Sequence, residues 1–173
     1  MKKLILINFF LCIWLTSNIS AETNISYIDM DKVISKSKPG TSIAIQLTKL
    51  NNKNLEYIEN QEKILRNKEK KLIAQKNILS EADFLSKIDK LKLEINSYNK
   101  DKNKILSDFN QLKIENTNKL LKLITPILSS YADEKSISII LQKKNLIIGK
   151  TELDITDEII IIINKDIKEF KIK

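Results

Sequence analysis

Between residues 41 and 131 apolar side chains return every three or four positions, and polar ones fill the gaps. Ile58, Leu65, Leu72 and Leu79 recur at intervals of seven; Leu50, Tyr57, Ile64 and Ile78 form a flanking row that Lys71 interrupts. Further on, Phe84, Ile88, Leu91, Ile95, Tyr98, Lys102, Ile105, Phe109, Leu112, Asn116, Lys119 and Leu123 alternate steps of four and three. Nine of these twelve are apolar, which makes the row a heptad seam. The stretch holds no Gly, its single Pro is Pro126, and it is rich in Lys, Leu, Glu and Gln. The spacing therefore predicts long helix, with a kink at Pro126. Ser80-Glu81-Ala82-Asp83 is a weak break, where Ser80 or Asp83 is suited to capping a new helix. A reversal there gives two antiparallel helices of about 40 residues, each ~60 Å long. Without it the same pattern gives one continuous rod, and periodicity is compatible with both.

The ends read differently. Ile25-Ser26-Tyr27-Ile28-Asp29-Met30 has the character of a short strand, and Asp31 to Lys38 leads into a break at Pro39-Gly40. Ser136 to Leu141 and Leu146 to Ile148 are strand-like, joined by the polar turn Gln142-Lys143-Lys144-Asn145 and closed by Gly149. Thr156 is placed to cap a helix, with Asp157 and Glu158 favourable to its dipole. Ile159 to Ile163 are five β-branched residues in a row. Their propensity favours strand, but the cap and the trailing polar residues favour a buried helix. The ends are thus expected to meet in one small sheet. Three short strands and one helix make a poor core, so self-association is the expected remedy. The fold class is α+β, mostly α.

Residues 1–21 are Met-Lys-Lys, an apolar run from Leu4 to Leu15, and a polar end closing at Ala21. This is the form of a cleaved export signal. The run is shorter than the ~20 residues a membrane-spanning helix needs. Cys12 lies inside the run, not at its end where a lipid-modified cysteine would sit. Cleavage leaves 173 − 21 = 152 residues and removes Cys12, Trp14, Lys2 and Lys3. The mature chain has no thiol, so neither a disulfide framework nor thiol redox chemistry is available to it. The sequence has no His and two Gly. That excludes imidazole-based nucleophile activation, imidazole metal ligation and glycine-rich phosphate loops. An enzyme is not expected, nor a cofactor or metal.

The full chain carries 30 basic and 22 acidic residues, a formal net charge of +8. Cleavage lowers this to 28 − 22 = +6. Residues 22–42 balance at three and three, residues 132–173 at eight and eight, and residues 43–131 hold 17 basic against 11 acidic. The whole excess lies on the helical stretch. Lys63, Arg66, Lys68, Lys70, Lys71 and Lys76 form a cluster there that Glu69 alone interrupts. One reading is a solvated helix face; the other is an electrostatic lure for anionic polypeptide segments or lipid head groups. Nucleic acid is not expected, since aromatic residues are not interleaved with these lysines. The acids Glu56, Glu59, Glu62 and Glu69, and the pair Asp29 and Asp31, have ordinary surface spacing. Tyr27, Tyr57 and Tyr98 are expected to pack.

From Ile25 to about Ile167 the pieces resemble the Skp (OmpH) family of periplasmic chaperones. Ile25-Ser-Tyr-Ile-Asp-Met-Asp-Lys-Val33 is similar to the family's opening strand. Gly40 and Gln46-Leu47 stand where its first long helix begins, and Leu79-Ser-Glu-Ala82 resembles the far end of its helical arm. Leu153-Asp-Ile-Thr-Asp-Glu-Ile-Ile160 with Ile163-Asn164 is similar to its C-terminal signature. The chain departs from the family pattern at Ser136, where Gly is common, and in the turn Gln142 to Asn145.

The resemblance implies an antiparallel helical-hairpin (coiled-coil) arm over residues 41–131 with its tip near 80–83. It implies a discontinuous β body from residues 22–40 and 132–173 that forms a trimeric barrel, with a C-terminal helix. Tyr27, Ile28, Met30, Ile139, Ile140, Leu141 and Ile155 would pack that body. It further implies an ATP-independent periplasmic holdase that keeps unfolded outer-membrane proteins in a cavity between arms, and arms of generally basic character suited to an anionic lipid or lipopolysaccharide surface. The charge pattern, and not the resemblance, makes the six clustered cations the candidate contacts to clients or an anionic surface. A structural coiled-coil spacer or tether of the envelope, without clients, is the alternative.

Overall fold

The computed structural model describes residues 23–168 and 170–172. The segment expected to be an export signal, residues 1–21 with Cys12, lies outside the described residues. Strand β1 (Ile25–Ile28) is shorter than its alternating pattern suggests. Asp29 turns the chain instead: its carboxylate accepts from the Lys32 backbone N–H at 2.8 Å, and Met30 opens helix α1 (Met30–Lys36). Local capping thus outweighs strand alternation. Ser37 then caps helix α2 (Lys38–Ala74), its hydroxyl accepting from the Gly40 N–H at 3.3 Å. Pro39-Gly40 does not precede this helix but forms its first turn, where Pro lacks no needed N–H. A Cβ at Gly40 would lie 1.5 Å from the Ile34 carbonyl oxygen, so only glycine permits α1 and α2 to approach this closely.

Residues 75–80 form the turn to helix α3 (Glu81–Glu134). Ser80 is the cap: its hydroxyl accepts from the Asp83 N–H at 3.2 Å and donates to the Asp83 carboxylate at 2.6 Å. The helices are unequal. The 37 residues of α2 span ~55 Å and the 54 of α3 ~80 Å, because α3 continues through Pro126. Lys68 reaches Glu94 at 2.6 Å and Lys87 reaches Gln75 at 3.2 Å, so α3 runs back along α2. The turn at 75–80 therefore reverses the chain, just ahead of the expected 80–83, of which Glu81, Ala82 and Asp83 are already helical, and the continuous rod is not formed.

Apart from Ile95, which is exposed at 37%, the seam follows its predicted positions as far as Asn116, which is buried, and then changes phase. Leu120 and Ile124 are fully buried, whereas Lys119 and Leu123 are exposed. Three successive steps of four, from Leu112 to Ile124, rotate the buried face. There α3 leaves its exclusive pairing with α2 and joins a larger core with Val33, Ile159 and Ile163, all at 0% exposure.

Helix α3 ends in a left-handed residue, Ser136, with φ of 54°. The Ser136 N–H bonds to the Asp133 carbonyl at 3.3 Å and the Ile137 N–H to the Ala132 carbonyl at 2.8 Å, a Schellman closure. This closure takes up the first residues of the expected strand, so β2 is Ile139–Gln142. It pairs in parallel with β1, Ile25 opposite Ile139 and Ile28 opposite Gln142. The helix pair is the crossover between them. The expected β-hairpin does not form, and two strands, not three, occur among the described residues. Lys143–Asn145 is a 3-10 turn and Leu146–Ile148 is not a strand. The segment folds over β1 instead. The Lys143 ammonium bonds to Asp154 at 2.7 Å and lies 5.7 Å above the Tyr27 ring, and the Ile155 N–H donates to the Tyr27 carbonyl at 3.0 Å. Gly149 rests on Tyr27, where a Cβ would be 2.8 Å from the ring.

Helix α4 (Thr156–Asp166) has the helical conformation that its flanking residues favour over its isoleucine run. Thr156 is not its cap. The hydroxyl of Thr156 accepts from the Asp29 N–H at 2.9 Å and donates to Asp154, whose carboxylate accepts from the Thr156 N–H at 3.1 Å. Burial alone would raise the Asp154 carboxyl, but the bonds from Lys143 and Thr156 outweigh it and hold it below the usual carboxylate range. Tyr131 bonds to Glu158, and burial, with that carboxylate beside it, pushes its hydroxyl up to about 12. Beyond α4, Gln46 accepts from the Ile172 N–H at 3.3 Å and donates to the Phe170 carbonyl at 2.7 Å, laying the C-terminal residues along α2.

Candidate functional site

Two adjacent concavities lie between α2 and α3, in the half of the helix pair far from the core. The outer one, next to the turn, has a volume of about 270 Å³, and the inner one about 260 Å³. They form one flank, since their linings repeat at seven residues. Gln61, Ile64 and Leu65 of the inner concavity are succeeded by Lys68, Lys71 and Leu72 of the outer. On α3, Ser97, Tyr98 and Asp101 are matched by Lys90, Leu91 and Glu94. Helical rows at this spacing share a face. Lys68 and Glu94 line both concavities, and their 2.6 Å ion pair spans the groove where they meet.

The polarity changes along this groove. The inner half presents Tyr57, Ile64, Leu65 and Tyr98 beside uncharged Gln61 and Ser97 and the Asp101 carboxylate. Tyr57 lies on the rim, half exposed, and the Tyr98 hydroxyl is buried without a hydrogen-bond partner. The outer half sets Lys68, Lys71, Lys87 and Lys90 around Leu72 and Leu91, with Glu94 the only carboxylate. Lys68 is neutralised by Glu94, and Lys87 donates to the uncharged Gln75 side chain. Among the described residues, Lys71 and Lys90 have no carboxylate within 4.0 Å.

The six predicted cations do not all line this groove. Lys68 and Lys71 line the groove; Lys63, Arg66, Lys70 and Lys76 do not. Nor does Glu69 alone oppose them. Arg66 bonds to Glu62 at 2.8 Å across one helical turn, and Lys68 to Glu94 on the other helix. The hydrogen bond and charge of Arg66 hold the Glu62 carboxyl below its ordinary value, and Glu62 in turn raises the guanidinium. Lys87 and Lys90 were missed by the reading of a single helix. Their signal was the row Lys87, Glu94, Asp101 and the row Lys90, Ser97, which matter only once α3 lies beside α2.

The residues expected to pack a body divide in two. Tyr27, Ile28 and Ile155 are buried within the chain, and Met30 and Ile140 are half-buried against its core. Ile139 and Leu141 remain exposed, at 47% and 39%. Among the described residues no group of three or more acidic or thiol side chains is placed to hold a metal.

A search of curated proteins finds no match to this chain. Among solved structures it is similar to an OmpH-like candidate outer membrane chaperone from Caulobacter crescentus, at 13% identity and a TM-score of 0.81. That likeness covers 88% of this chain and 90% of the other, and at such low identity it speaks for the fold alone. The family model described as outer membrane protein (OmpH-like) matches residues 24–162, far more than half of the sequence. This chain, with its long helix pair set between two parallel strands drawn from its ends, therefore belongs to the OmpH-like outer membrane protein family.

Proposed function

We propose that the chain is an ATP-independent holdase of the periplasm that binds unfolded outer-membrane proteins and prevents their aggregation. The observation that carries this reading is the amphipathic, cationic flank on the far half of the helix pair, in a chain of the OmpH-like family. Client barrel strands are apolar on one face and offer unpaired edges, so they aggregate in water. A surface that offers apolar side chains and ammonium groups together competes with that aggregation through many weak contacts. No nucleotide is needed, since binding has only to outlast encounter between clients and then yield to folding.

In this reading residues 41–131 form a coiled-coil arm with its tip at the turn, and residues 22–40 and 132–173 form the body. Three bodies associate as a barrel, and the arms enclose the cavity. Residues 1–21 direct export. Lys63, Arg66, Lys70 and Lys76 add general attraction for acidic clients or anionic lipid, beside the groove cations. The test is light scattering of a urea-denatured outer-membrane barrel protein diluted with and without the purified chain. Scattering should be suppressed at a slight molar excess of trimer. Undiminished scattering would refute the holdase reading and leave an envelope spacer in its place.

A further inference from the structure

The geometry points to a defined peptide site on the flank of the helix pair: an extended segment of about eight residues, aromatic or aliphatic in one half and acidic in the other, lies along the groove across the Lys68–Glu94 ion pair. This deepens the holdase reading and rests on it.

Length sets the first constraint. From Tyr57 to Gln75 the groove follows 18 residues of α2, ~27 Å at 1.5 Å per residue. An extended chain rises ~3.4 Å per residue, so about eight residues fill it. Charge sets the second. The outer half holds four ammonium groups against the single Glu94 carboxylate, a surplus of 4 − 1 = +3, and calls for acidic side chains. The inner half has no cation apart from the shared Lys68 and carries the Asp101 carboxylate, so it disfavours acidic side chains and calls for apolar ones.

Hydrogen bonding separates a peptide from a lipid. The apolar surface of the inner half is interleaved with Gln61, Ser97 and Asp101. An acyl chain would desolvate these groups and return nothing. A peptide backbone supplies N–H and C=O groups to each of them. Asp101 has no cation within 4.0 Å among the described residues, which suits it to accept from peptide N–H groups.

The probe is a fluorescein-labelled octapeptide with Phe and Tyr in one half and Asp and Glu in the other. Its controls are the same composition interleaved, the same peptide with Lys for the acids, and vesicles of phosphatidylglycerol. Fluorescence anisotropy should give the segregated peptide the tightest binding. The double variant Lys71→Glu, Lys90→Glu should weaken it about tenfold, and Ile64→Ser severalfold. Lys113→Glu with Lys122→Glu makes the same charge change outside the groove and should weaken it less than threefold. Equal losses in the two double variants, or equal binding of the interleaved peptide, would overturn the site. Loss of vesicle binding alone in the groove variant would assign the groove to lipid and overturn it also. The two readings fail separately. If the unaltered chain does not suppress scattering, the holdase reading is wrong. If it does, while peptide binding ignores the groove variants, only the groove assignment is wrong.

Discussion

Ser136 shows most directly how one residue is set by its neighbours. It takes a left-handed conformation that costs a non-glycine residue ~1–2 kcal/mol, because the closure of α3 needs that conformation at this position. Glycine would remove the cost but lose ~0.5–1 kcal/mol more backbone entropy on folding. Ser136→Gly should therefore stabilise the chain by about 0.5–1 kcal/mol, seen as a higher denaturant midpoint with an unchanged slope. A lower midpoint would contradict this account. Thr156 carries a related lesson. Its identity marked a helix start correctly, but its hydroxyl bonds to the Asp29 N–H, 127 residues away, and Asp154 satisfies the helix end in its place. Capping residues are legible in sequence, whereas the choice among neighbouring capping residues depends on what packs against them.

At the scale of elements, α2 and α3 were legible because a seven-residue repeat can be buried in few ways. Where the repeat met a second partner it failed as a guide, and the phase changed at Asn116. This residue is fully buried. Its side-chain N–H donates to the Leu112 carbonyl at 2.7 Å, while its side-chain oxygen has no partner. A half-satisfied buried amide costs ~1–3 kcal/mol, and such residues are known to specify helix register. Asn116→Leu should raise stability by roughly 1–2 kcal/mol in chemical denaturation. It should also widen the distribution of distances between spin labels placed on α2 and α3 near the turn. A destabilised variant would show that Asn116 is better satisfied than this geometry allows.

For the whole molecule, the question is what completes the sheet. A two-stranded sheet is marginal alone, and the far edge of β2 carries no strand among the described residues. Nearby, Ile147 and Ile148 stand 104% and 90% exposed, and Ile139 47%. Apolar strand-forming residues left outside a sheet with an open edge favour association. The proposed trimer should appear at micromolar concentration in sedimentation equilibrium, and Ile147→Ser with Ile148→Ser should shift it towards monomer. A monomeric unaltered chain would refute the assembly. The sequence placed strand character at these isoleucines, but in one chain Lys143 to Gly149 closes over Tyr27 instead of returning along β2. A strand needs a partner, and the pattern within a chain does not say whose.

The sequence by itself determined the long helices, their reversal point near Ser80 as one of two possibilities, the helix and strand character of the ends, and the concentration of positive charge on the helices. These are local properties: period, breakers, caps and counts. Only the tertiary structure chose reversal over a rod, rotated the seam after Asn116, paired β1 with β2 in parallel, and brought Lys87 and Lys90 beside Lys68 and Lys71. Each of these depends on which surfaces meet, so the groove exists only between two helices, and neither helix pattern alone contains it.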